Sequence, residues 1–295
     1  MEKLRSIFEF SLYRIFAGLI RFSPRKIILL LGSETGRLFF ILDRKHRSIA
    51  LKNLYTALGK DKTQSEIENI TKLSFQHFGK AFLDMIHLAQ LKPEKRNSFL
   101  ITDGLENLQR ALDKGKGVLL LSAHFGLWEI ISTILSKIGK LNVVARPLDN
   151  QLMERELLKL RTAMGAKVIS KYHASRNILQ ALRRNEIVAI LIDQNVIREE
   201  AVFVDFFSKK TSTTPGLAMF HLRTEAPIIP AFCYPTRDNK YHIKILKPVE
   251  VPLSEDSQTN ILNITQACTK VIEEQIRALP ESWLWFHDRW KSRPK

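Results

Sequence analysis

Apolar residues along this chain follow two rhythms. From Thr63 to Leu88 they recur at helical spacing, at Ile67, Ile70, Phe75, Phe78, Phe82 and Ile86. Thr63-x-x-Glu66 opens that stretch as a capping box, so the spacing predicts one long helix. Beyond Gly104 short aliphatic runs of strand length alternate with amphipathic segments. Predicted strands cover Val118–Leu121, Asn142–Ala145, Lys167–Ile169, Ile187–Ile192, Ile228–Tyr234 and Tyr241–Leu246. Predicted helices cover Leu105–Leu112, Glu129–Leu135, Leu152–Met164, Arg176–Arg184, Pro215–Arg223 and Thr259–Ala278. Such alternation is the signature of an α/β domain, with a mainly parallel central sheet flanked by helices. The expected organisation is a helical region over 1–100 and an α/β catalytic-type domain over 101–295.

Two apolar stretches invite a membrane-spanning reading and fail it. Between Ile7 and Leu31 the run is broken by Glu9, Arg14, Arg21, Arg25 and Lys26, whereas a spanning helix needs about 20 mostly apolar residues. No clean apolar core with a small-residue cleavage site is present, which argues against a signal peptide. Instead Phe8, Phe10, Tyr13, Phe16 and Phe22 interleave with arginines. That pattern suits a helix lying in a membrane interface, or alternatively a helix covering the domain's core. Val118–Leu135 carries only one His and one Glu, but Gly126 divides it into a strand, a turn and a helix.

Charge narrows the partners. The chain has 46 Lys/Arg against 30 Asp/Glu, a formal +16, and residues 1–62 hold 13 basic and 5 acidic residues, half the excess. A field of that sign favours anionic lipid, an acidic protein or nucleic acid. No nucleic-acid-binding module is recognisable, and the charge gathers at an aromatic N-terminus, so nucleic acid ranks last. With 45% hydrophobic residues the chain is neither disordered nor, with two cysteines, a disulfide scaffold. Cys233 and Cys268 read as buried thiols of a reducing compartment.

No nucleophile elbow, phosphate loop, complete dinucleotide fingerprint or zinc-ligand spacing occurs. The best chemical candidate is His124 with Glu129, in Ser122-Ala-His-Phe-Gly-Leu-Trp-Glu129. Within one helix five residues turn about 500°, so the two would not share a face. With His124 at a strand end and Glu129 one turn into a helix they can meet, the carboxylate holding one ring nitrogen protonated and freeing the other as a base. General-base catalysis of that kind contributes roughly 10²–10⁴ in rate. The plainer alternative is a buried histidine satisfied by a neighbouring glutamate. His46, His77, His87, His173, His221 and His242 show no partner pattern and read as structural or surface groups.

A small residue, x, His124 and x₄-Glu129 after a Gly-Val-aliphatic strand resembles the glycerolipid acyltransferase superfamily, and in this form its late lipid A acyltransferases. Further blocks agree in order: Ala145-Arg-Pro-Leu-Asp-Asn150, Asp193-Gln-Asn195, Val202–Phe207, Thr213-Thr-Pro-Gly216 and the ending Pro280–Lys291. The resemblance implies transfer of an acyl chain from an acyl carrier protein or coenzyme A thioester to a hydroxyl of a phosphorylated glucosamine-disaccharide lipid. It implies the cytoplasmic face of a bacterial inner membrane, with no cofactor, no metal and no covalent acyl-enzyme. In that scheme His124 deprotonates the acceptor hydroxyl and Glu129 orients it. Arg146 stabilises the oxyanion or holds a phosphate, unless it is simply a surface arginine before a proline. Asn150 and Asp193 contact the acceptor, Asp193 otherwise capping a turn. Asn195-Val196-Ile197 departs from an acidic residue and Tyr-Gly common at that place, which leaves another membrane glycolipid or a lysophospholipid open as acceptor. Trp283, Trp285 and Trp290 read as fold closure.

Overall fold

The computed structural model describes residues 2–172 and 174–294; His173 lies outside the described residues. Four helices lead the chain: α1 (Glu2–Phe22), α2 (Arg25–Leu42), α3 (Arg44–Leu58) and α4 (Gln64–Gln90). The capping box at α4 is formed in both directions, Thr63 and Glu66 each bonding the other's backbone N–H. Glycine lets α2 and α4 pack backbone against backbone. A Cβ on Gly36 would stand 2.1 Å from the Phe75 carbonyl oxygen, and one on Gly79 the same distance from that of Gly32.

The short helix α5 (Pro93–Asn97) leads into the alternating region: β1 (Leu100–Asp103), α6 (Leu105–Leu112), β2 (Val118–Ser122), a 3₁₀ turn at Trp128–Ile130, α7 (Ile131–Leu135), β3 (Leu141–Ala145), α8 (Gln151–Ala163), β4 (Ala166–Ser170), α9 (Ala174–Arg183) and β5 (Ile187–Leu191). A hairpin of β6 (Val202–Phe206) and β7 (Lys209–Thr213) follows, then α10 (Gly216–Thr224), β8 (Ile228–Pro235), β9 (Tyr241–Ile245) and α11 (Ser257–Ala278). The sheet order is β1-β9-β8-β2-β5-β3-β4. All neighbouring strands run parallel except β8 and β9. The expected mainly parallel sheet flanked by helices is therefore present.

β2 is buried along its whole length, as its unbroken Val-Leu-Leu-Leu requires of a strand covered on both faces. Alternate residues serve two cores. Leu119, Leu121, Val188 and Ile190 face α9, α10 and α11, and share that core with Leu54 of α3, Ile67 of α4 and the terminal tryptophans. Val118, Leu120, Ile187 and Ala189 face α6, α7 and the C-terminal half of α4. Chains leaving β2 and β5 diverge to opposite sides of the sheet. The crevice outside their C-terminal ends is where open α/β sheets place their ligands.

Candidate active site

Register builds the site. Ser122 of β2 pairs with Leu191 of β5, so two residues further on His124 stands opposite Asp193. Asp193 accepts three N–H donors: the His124 ring Nδ1 at 2.9 Å, the His124 backbone at 2.9 Å and the Trp283 indole at 2.8 Å. The carboxylate is buried while the His124 side chain keeps 22% of its surface. Burial alone would push the Asp193 carboxyl up. The His124 imidazole and the three donors outweigh it and hold the group below the usual aspartate range. An ionised carboxylate can only accept, so it fixes the proton on Nδ1 and leaves Nε2 with its lone pair.

The Trp128 ring flanks the imidazole at 5.0 Å between centroids, and the Gln194 amide lies 3.4 Å from Nε2. Buried Arg289 steadies the segment after Asp193 by donating to the carbonyls of Gln194, at 3.0 Å, and Ser212. Burial pushes its guanidinium down to about 10, so it stays charged at neutral pH. The segment ending the chain closes the back: Gly126 donates to the Ser282 carbonyl at 2.8 Å and Leu284 to that of His124 at 3.1 Å. Trp283 and Trp285 are buried there, matching the fold-closing role expected of them.

Glu129 does not meet His124, and the expected pairing is corrected. Its carboxylate is buried against Arg161 of α8, with Nη2 at 2.6 Å and Nε at 3.1 Å from both oxygens. The reason is the turn. Gly126 sits at φ +62°, and a Cβ there would stand 1.7 Å from the Cys233 carbonyl oxygen, so only glycine fits. Helical geometry resumes only at Trp128, and Glu129 is directed onto the sheet face rather than back to the imidazole.

The other candidates lie apart from the pair. Arg146 is one residue past β3, on the same edge but two strands from β2; its exposed side chain pairs with Asp149 at 2.6 Å. Asn150 caps α8, accepting from Leu152 and Met153, while its amide donates to Ser6 O and Glu9 of α1. Asp193, expected at the acceptor or in a turn, is the imidazole's partner. No local signal in the sequence marks it, because the pairing depends on β2 and β5 lying side by side in the sheet.

The bacterial lipid A biosynthesis acyltransferase family matches the chain over residues 2–292. The chain belongs to that family. Among the acyltransferase's relatives, the lipid A biosynthesis palmitoleoyltransferase of Escherichia coli (strain K12) is 27% identical over 92% of this chain and 87% of its own. The lauroyltransferase of the same strain is 24% identical over 92% and 88%. A phosphatidylinositol mannoside acyltransferase of Mycobacterium tuberculosis (strain CDC 1551 / Oshkosh) is 23% identical over 74% and 69%.

Proposed function

We propose that this acyltransferase moves a fatty acyl chain from a thioester, carried by acyl carrier protein, to a hydroxyl of a lipid A precursor. The observation that carries the mechanism is the His124–Asp193 pair, with Nδ1–H bound to a buried carboxylate and Nε2 left with its lone pair, approached only by the Gln194 amide among the described residues. Nε2 takes the proton of the acceptor hydroxyl as its oxygen attacks the thioester carbonyl carbon. The tetrahedral adduct expels the thiolate, which recovers the proton from His124. Asp193 stays ionised and balances the transient imidazolium. No side chain is acylated. Arg146 holds an anionic group of the acceptor: its pairing with exposed Asp149 is a surface ion pair worth little, so a phosphate can replace it.

The reaction takes place at a membrane, by this reading the cytoplasmic face of a bacterial inner membrane. No helix of the described residues is long and apolar enough to cross a bilayer. The support lies in α1 and α2. Phe8, Leu12, Ile15, Leu19 and Phe22 on α1, and Leu30, Leu31, Leu38, Phe39 and Leu42 on α2, are all exposed. Apolar surface of that kind on both helices, with arginines beside it, fits a pair of helices resting in the lipid interface.

The test incubates purified protein with an acyl-carrier-protein thioester and a phosphorylated, incompletely acylated glucosamine-disaccharide lipid, and reads the mass gained by the lipid. His124→Ala should lose the reaction while its melting temperature holds; a folded, active variant overturns the mechanism. The mannoside-acylating relative favours one alternative, a different membrane glycolipid as acceptor. Transfer to phosphatidylinositol mannoside with none to the disaccharide would establish it.

A further inference from the structure

Attack on a thioester carbonyl places a negative charge on the former carbonyl oxygen. Neither member of the His124–Asp193 pair can meet it, since Asp193 is itself an anion and His124 is occupied with the acceptor's proton. A preorganised N–H donor at that oxygen is usually among the largest contributions to such a reaction. The backbone after β2 turns directly beside His124 and is the natural place for one, yet its amides are taken. The His124 N–H goes to Asp193 at 2.9 Å, that of Phe125 to the Ala123 carbonyl at 2.7 Å and that of Gly126 to the Ser282 carbonyl at 2.8 Å. The Leu127 N–H meets the Cys233 thiol. Other donors nearby are committed too. The Ser122 hydroxyl donates to the Ala231 carbonyl, the Trp283 indole to Asp193 and the Asn195 backbone to His287 Nε2, each at 2.8 Å. Arg146 stands two strands from β2, paired with Asp149.

Gln194 is the exception. Its side-chain amide lies 3.4 Å from His124 Nε2, and this is that side chain's only hydrogen-bonding contact among the described residues. With the ring proton fixed on Nδ1, Nε2 presents a lone pair, so the amide turns its NH2 rather than its oxygen toward the ring. One N–H is spent on this long contact, and the other has no partner among the described residues. The main chain fixes its place: Gln194 follows Asp193 directly, is half-buried, and has its carbonyl bound by Arg289 at 3.0 Å. A cation in the same position would oppose the imidazolium that forms during the reaction, whereas a neutral amide donates without that penalty. An acceptor oxygen must come within about 2.6–3.2 Å of Nε2 to surrender its proton. In arriving there it displaces the amide from the lone pair, and the carbonyl it attacks comes to lie beside the same NH2.

We infer that Gln194 is a further catalytic residue, whose amide N–H donates to the oxyanion of the tetrahedral adduct. As the acceptor oxygen bonds to the carbonyl carbon, its proton passes to Nε2 and the carbonyl π pair moves onto the oxygen held by Gln194. When that pair returns, the C–S bond breaks and the thiolate takes the proton from His124. The inference rests on the acyl-transfer reading proposed above, whichever hydroxyl accepts the chain.

Gln194→Met keeps the length of the side chain and removes the donor. Its kcat for acyl transfer should fall about 10²–10³-fold, with both KM values within about twofold of wild type and the melting temperature unchanged. Gln194→Glu, of the same shape but without an N–H, should lose at least as much. A second measurement needs no turnover: equilibrium binding of a phosphonate analogue of the acyl thioester, tetrahedral and anionic at the reacting centre. Wild type should bind it at least tenfold more tightly than Gln194→Met does, while a planar amide analogue binds both proteins alike. A kcat loss below tenfold in either variant, a loss carried by KM, or equal binding of the phosphonate by wild type and Gln194→Met overturns the oxyanion role. Wild type that keeps its preference for the phosphonate yet transfers acyl chains to no lipid overturns the functional reading instead.

Discussion

Asp193 and Phe22 each occupy the place that would ordinarily be left to the other. At the C-terminal edge of the sheet a carboxylate is buried, with three N–H donors around it. On the outer face of α1 and α2 a row of large apolar side chains stands in the open, Phe22 with 86% of its surface exposed. Burying a charge costs several kcal/mol unless it is matched, and leaving a phenylalanine exposed forgoes about 1.5–3 kcal/mol. Folding alone favours neither arrangement. The difference lies in how each is compensated. The buried carboxylate finds its partners within the protein, through strand register and the returning C-terminal segment, so that region is complete by itself. The apolar face finds none among the described residues, and under the proposed reading its cover is lipid.

Removing the charge at the first region gives the largest expected effect. Asp193→Asn keeps the volume but presents an amide to Nδ1, which permits the wrong tautomer of His124. Turnover should fall roughly 10³–10⁴-fold with little change in KM, measured by acyl transfer under saturating substrates. A loss below tenfold would show that the buried carboxylate is structural. The neighbouring Glu129→Ala sharpens the contrast between two buried carboxylates a few residues from the same histidine. It leaves Arg161 as an unpaired buried cation and should cost about 3–5 kcal/mol of stability in denaturant titrations. The pH dependence of kcat/KM should keep its wild-type shape, because Glu129 does not touch the imidazole.

How far the sequence reached follows the same division. The helix over 64–90, the α/β alternation and His124 at a strand end are local patterns, and each appears where the spacing predicted. The partner of His124 is not local. Asp193 lies 69 positions away, and its place depends on β5 inserting between β2 and β3, an adjacency that no window of sequence encodes. Glu129 departs from the local pattern because its direction is set by Gly126 meeting the Cys233 carbonyl, a contact across strands. The β6–β7 hairpin has no apolar strand pattern in its second half, Lys-Lys-Thr-Ser-Thr being polar throughout; its Thr211, Ser212 and Thr213 are nonetheless buried, bonded to the terminal segment and to the loop after β5. On the N-terminal side the aromatic–basic interleaving of α1 was visible. The matching face of α2 was not, since Ile-Ile-Leu-Leu-Leu reads equally well as core.

A smaller effect is expected from the open face. Replacing Phe8 and Phe22 by Ser should weaken binding to vesicles containing anionic lipid by at least tenfold while leaving the melting temperature unchanged, because neither ring packs on a core. Binding of the wild type should also weaken as salt rises, through the arginines. Unaltered partition by the double variant would move the membrane contact elsewhere on the molecule.

The smallest effect is one of pH and separates the regions by sign. The Asp193 carboxyl is held below its ordinary value in the folded protein, so its contribution to stability is fully present above the unfolded-state value of about 3.9 and is lost as pH falls through the folded value. Wild type should therefore lose stability over that acid window. Asp193→Asn, less stable at neutral pH, should show a shallower loss there, the two curves converging as the wild-type carboxyl protonates. The Phe8 and Phe22 replacements introduce no titrating group and should leave the whole profile parallel to wild type. Parallel curves for wild type and Asp193→Asn through the acid window would mean that the buried carboxylate is not ionised in the native state, and with that the fixed tautomer of His124 would lose its cause.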